Sequence, residues 1–204
     1  MTFSSKLTGA ASCLAFCLLG ASASAATLTG TFTTDDQLAQ YTWNLAQPSN
    51  IVAYTDSYAS GGFVPVISLF DGTSGAFIAS DGGDVSCSGG RMMDGTTGIC
   101  NDAYLSTSLA KGSYTVVLSE FFNFPKGSNL SDGFTENGAG NFTSSVCSAT
   151  GAFYETDLAP CVQRTGNYSL NLTSTSTPEP STGWLALPAL ALAAYRFRRL
   201  KSRT

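Results

Sequence analysis

Gly112-Ser113-Tyr114-Thr115-Val116-Val117-Leu118 puts Tyr114, Val116 and Leu118 on one side of an extended chain, the period-two pattern of a β-strand entered from a turn. Tyr168-Ser169-Leu170-Asn171-Leu172 alternates in the same way. Leu38, Tyr41, Trp43 and Leu45 approximate one apolar face with Gln40, Thr42 and Asn44 opposite, and Val66-Ile67-Ser68-Leu69-Phe70 reads as a short buried strand. No stretch of the body keeps a helical period over three turns. Clusters of Gly, Asp, Asn and Ser punctuate residues 56–62, 71–75, 80–98 and 127–140. Short strands with this punctuation and no fixed-period repeat predict an all-β fold, a jelly-roll-like β-sandwich of one domain.

The ends of the chain have a different composition. Lys6, an apolar run over residues 7–20 and Ala21-Ser22-Ala23-Ser24-Ala25-Ala26 have the order of a secretory leader, with cleavage expected after Ala25. At the other end Pro178-Glu179-Pro180 precedes an apolar run over residues 184–195 and then Arg196, Arg198, Arg199, Lys201 and Arg203. As a helix, residues 184–197 would span only about 21 Å, short of a hydrocarbon core of about 30 Å. The basic tail would stay on the cytoplasmic side. The expected division is thus a leader at 1–25, a β-sandwich at 26–173, a linker with the Pro-Glu-Pro motif at 174–183, and a hydrophobic segment with basic tail at 184–204.

This C-terminal order resembles the PEP-CTERM sorting signal of Gram-negative bacteria, which is read by a membrane-embedded exosortase. The resemblance implies export through the inner membrane, transient contact with that membrane, exosortase as a partner during sorting, and a destination at the cell surface or in the extracellular polysaccharide matrix. An ordinary single-span anchor is the competing reading of the same tail.

Residues 26–177 hold 13 Asp and Glu against four cations, Arg91, Lys111, Lys126 and Arg164. So acidic a body argues against nucleic acid as a partner and is compatible with neutral glycans or cations. With no histidine in the chain, Ser-His-Asp, Cys-His and His-based zinc chemistry are all unavailable. Paired carboxylates, or a Ser-Lys dyad at Lys111 or Lys126, remain as routes to an enzyme, but most of the aspartates sit in turns and both lysines lie beside turn glycines, so the chain is read as non-catalytic.

Four cysteines follow the leader, and in an exported chain an even number predicts disulfides. Of three possible pairings, Cys87 with Cys100 and Cys147 with Cys161 is expected, because each pair brackets a Gly- and Ser-rich loop. Asp81, Asp84 and Asp102 are candidate ligands for Ca²⁺, the one cofactor suggested, with solvated turn aspartates as the competing reading. Tyr54 and Tyr58 flank a Gly-Gly loop and are candidates for stacking on a glycan; Phe121, Phe122 and Phe124 offer further rings.

Phe63-Val64-Pro65-Val66-Ile67-Ser68-Leu69-Phe70-Asp71, Asp102-Ala103-Tyr104-Leu105 and Leu109-Ala110-Lys111-Gly112-Ser113-Tyr114-Thr115-Val116 resemble the bacterial pre-peptidase C-terminal domain. Tyr41-Thr42-Trp43-Asn44-Leu45 and Gly166-Asn167-Tyr168-Ser169-Leu170 add to that resemblance. Ser131-Asp132-Gly133-Phe134, Gly140-Asn141-Phe142-Thr143 and Arg164-Thr165-Gly166-Asn167-Tyr168 resemble a group of PEP-CTERM proteins built on that domain. The resemblance implies a jelly-roll-like sandwich and an accessory role in secreted peptidases, often with substrate or matrix binding. Two functions follow as expectations: an exosortase-sorted surface or matrix protein associated with exopolysaccharide, or an accessory domain that binds or modulates a secreted hydrolase.

Overall fold

The computed structural model describes residues 23–82, 100–156 and 159–177. The leader through residue 22, the motif Pro178, Glu179 and Pro180, the tail beyond it, Asp84 and Cys87 lie outside the described residues.

The described residues form ten strands: β1 (Ala23–Thr31), β2 (Ala39–Leu45), β3 (Ser49–Thr55), β4 (Pro65–Asp71), β5 (Phe77–Asp81), β6 (Tyr104–Leu109), β7 (Gly112–Glu120), β8 (Tyr154–Glu155), β9 (Val162–Gln163) and β10 (Asn167–Ser176). A short α-helix, α1 (Phe142–Val146), lies between β7 and β8. β1 pairs with β10, β2 with β7, β3 with β6 and β4 with β5, all antiparallel. Successive pairs fall in opposite sheets, giving β1-β10-β3-β6 and β2-β7-β4-β5. That nesting of four strand pairs, rolled into two sheets, is a jelly roll.

Alternation decides which side chains meet between the sheets. Ile51 and Ala53 of β3, Leu105 of β6 and Leu170 and Leu172 of β10 face Ile67 and Leu69 of β4 and Tyr114, Val116 and Leu118 of β7 in one cluster. The outward row of β7 is buried as well. Val117 and Phe70 pack under Phe134, with Leu38 and Leu130 alongside, because residues 121–140 fold back across that sheet. Leu38 therefore belongs to this outer cluster and not to the face shared by Tyr41 and Trp43.

The β4–β5 hairpin is set by Asp71, whose Oδ1 accepts from the backbone of Thr73 at 2.9 Å and of Ser74 at 2.7 Å. Gly75 completes the turn at φ 76°, a left-handed conformation that favours glycine. Those amide donors, Ser74 first, hold the exposed Asp71 carboxyl below its usual value.

Two expected boundaries fall inside strands. Ala23, Ser24 and Ala25, expected as the end of the leader, begin β1 opposite Thr175, Ser174 and Thr173. Residues 174–176, expected as linker, continue β10 because they pair with β3 on the other side, ending at Ser176 opposite Ser49.

Candidate functional site

One end of the sandwich carries a cluster of buried polar groups. Between β7 and β10 the chain makes a long excursion through α1, β8 and β9, and it closes over the core where β7 ends. Arg164 sits at the centre of this end. Its guanidinium lies 3.6 Å over the Tyr58 ring, Nε donates to the Gly62 carbonyl at 2.6 Å, and Nη2 donates to the Tyr58 carbonyl. Nη1 stands 3.6 Å from Glu155 Oε2, while Glu155 Oε1 accepts from Tyr58 Oη at 2.5 Å and from Asn101 Nδ2 at 3.3 Å. Burial, and then the hydrogen bond to Glu155, raise the Tyr58 phenol well above its ordinary value.

Asp35 is fully buried in the β1–β2 loop and ties that loop to the excursion. Its Oδ2 accepts from Thr143 N at 2.9 Å and Thr143 Oγ1 at 2.5 Å, and its Oδ1 from Phe153 N at 2.6 Å. Phe153 needs that anchor, since it adopts φ 61°, rare for a bulky side chain, while its ring stacks on Phe63. Glu120, the last residue of β7, is only 2 % exposed and its Oε2 has no hydrogen-bond partner. Burial, followed by the nearby Asp35 carboxylate, pushes its carboxyl well up; Arg164 opposes this and Glu155 adds to it.

Tyr58 is thus buried in this network, whereas Tyr54 is half-buried on β3 opposite Asn171 and Tyr104, so the two do not share a surface. Asp102 is buried, and its Oδ1 accepts from Thr55 Oγ1 at 2.8 Å and from Tyr58 N at 3.3 Å. Burial raises its carboxyl, and the Thr55 hydroxyl works the other way. Asp81 Oδ1 accepts from Tyr104 N at 3.0 Å, which bridges β5 to β6 across the two sheets. Among the described residues no three acidic or cysteine side chains converge in a metal-binding arrangement. The third candidate ligand, Asp84, lies outside the described residues.

Cys147 and Cys161 form a disulfide with Cα atoms 6.0 Å apart, as the bracketed loop predicts. Cys100 is fully buried and also disulfide-bonded.

A second feature is open to solvent. A cleft of about 480 Å³ is lined by Phe122, Glu136, Ala139, Phe142, Ser145 and Val146. Its rim carries two of the most exposed large apolar side chains of the described residues, Phe122 at 44 % and Val146 at 62 %. Phe122 sits at φ 75°, its carbonyl accepting from Thr135 Oγ1 at 2.5 Å. The next residue, Asn123, is fully buried; its carbonyl accepts from Ser119 Oγ at 2.7 Å and its Oδ1 accepts from Glu136 N at 3.0 Å. One buried amide thus fixes the backbone of two walls. The third wall, α1, is held by Thr143 on Asp35 and by the disulfide at Cys147.

No protein-family model and no curated protein matches the chain. Among solved structures it is similar to the pre-peptidase C-terminal domain of a collagenase from Bacillus anthracis, at 13 % identity and a TM-score of 0.35 over 72 % of this chain and 87 % of that one.

Proposed function

We propose that this chain is an exported, non-catalytic protein of the cell surface or extracellular matrix of a Gram-negative bacterium, sorted by an exosortase and associated with exopolysaccharide. The observation that carries the reading is the Cys147–Cys161 disulfide, joined by a bonded Cys100, in a chain whose two ends have the order of a leader and a sorting tail. The non-catalytic part is supported by where the acids lie. Asp35, Asp102, Glu120 and Glu155 are at most 2 % exposed, so a glycoside substrate has no access to a carboxylate pair there.

The test is intact-mass measurement of protein extracted from the cell surface, beside protein from a strain lacking exosortase. The expected form begins near Ala26 and lacks the basic tail, while the mutant strain keeps the tail at the inner membrane. Residues 196–203 on the surface form would establish the ordinary anchor in its place. Recovery of a hydrolase as a stoichiometric companion would favour the accessory-domain function.

A further inference from the structure

The cleft beside α1 combines a ring platform with a single charge. We propose that it binds hexosamine-bearing polysaccharide, with the apolar C–H face of a sugar against Phe122 and its ammonium group at Glu136. This deepens the reading of an exopolysaccharide-associated protein and rests on it.

Several observations converge on that chemistry. The volume of about 480 Å³ suits one or two sugar units and lies in the range of small-ligand sites. Phe122 and Phe142 supply ring faces that attract both C–H groups and cations, and Val146 and Ala139 extend the apolar floor. Glu136 is the one ionisable side chain in the lining, with the Ser145 hydroxyl as its polar companion. The charge balance points the same way: among the described residues Asp36, Asp56, Asp71, Asp81, Asp132 and Glu136 are the carboxylates outside the buried set, against Lys111 and Lys126, while Arg164 is engaged by Glu155 and the backbone. An anionic polymer is disfavoured on this surface, and a cationic one is attracted.

The site is also built in advance. Phe122 keeps its ring exposed at a backbone angle that costs energy for a bulky side chain, and buried Asn123 holds that strand end and the Glu136 backbone in fixed relation. A ligand entering the cleft therefore orders little chain, which favours binding by short oligosaccharides.

The experiment is titration calorimetry of the purified full chain with a β-linked glucosamine pentasaccharide, its N-acetylated counterpart and the corresponding glucose pentasaccharide, with polygalacturonate and oligolysine beside them. The glucosamine oligomer is expected to bind tightest. Phe122→Gly removes the ring and relieves the positive φ, so its melting temperature should not fall, while affinity should drop about tenfold. Glu136→Gln should weaken the glucosamine oligomer by about threefold or more and leave the glucose oligomer unchanged. No binding of the glucosamine oligomer at millimolar concentration, unchanged affinity in Phe122→Gly, tighter binding of polygalacturonate, or tighter binding of oligolysine would each overturn the proposal. Because the titration uses purified protein, its failure is distinct from a failure of the sorting reading, which the intact-mass measurement decides.

Discussion

Asp35 shows how much one carboxylate can organise when it accepts three hydrogen bonds out of water. Asp35→Ala leaves the amides of Thr143 and Phe153 without their acceptor and frees Phe153 from the contact that holds its left-handed backbone. The expected loss is about 3 kcal/mol or more, read by urea unfolding. Glu120 acts in the opposite direction. Burial raises its folded-state value well above the usual 4.5, so the folded chain keeps this proton over a pH range in which the unfolded chain has released it. Its contribution is fully present below about pH 4.5 and is lost as the pH rises through the folded-state value. Glu120→Gln keeps the shape without needing the proton, so the variant should be more stable than the natural chain at pH 8, with the gap shrinking toward pH 4. Urea midpoints at the two pH values check this. Neither role was legible in the sequence. Asp35 and Glu120 look like turn and strand-end acids there, and their partners Thr143, Phe153 and Arg164 come from an excursion that only the closed fold brings near.

At the scale of elements, α1 is five residues long, too short to hold by its own hydrogen bonds. It stays in place through Thr143 and through the Cys147–Cys161 link, which closes a loop of sequence separation 14. Replacing both cysteines with serine should lower stability by about 3 kcal/mol in the chain-entropy model and loosen the cleft wall carrying Val146. Thermal melts measure the first effect, and proteolysis within residues 147–161 measures the second. Strands β2, β4, β7 and β10 were readable because their apolar residues alternate or run together. β1 was not, since Ala23–Thr31 is mostly small and hydroxylated residues and becomes a strand through its register with β10. The ring candidates divide for the same reason. Tyr58 and Phe122 both lie beside turns, but Tyr58 is covered by Arg164, whereas Phe122 is pushed outward by its own backbone.

For the whole molecule, the jelly roll places the first strand against the last. A chain beginning at Ala26 keeps the pairs from Ala26 with Leu172 to Thr31 with Asn167, together with the half-buried Leu28 that packs against the core, and should melt cooperatively within about 4 °C of one beginning at Ala23. A chain beginning at Phe32 exposes the full length of β10 and should show no cooperative transition by circular dichroism. The fold class was legible from punctuation and alternation, while the cleft was not, because its walls come from residues 122, 136–146 and a staple that no local pattern connects. The pairing of β1 with β10 also fixes an order of events. Thr31 and its partner Asn167 are 136 residues apart, and among the described residues β1 has no other neighbour in its sheet. The first of the described strands therefore waits for the last of them, and closing so long a loop is slow. Until β10 has been synthesised the roll cannot shut, so the growing polypeptide stays open along the edge that β1 will close.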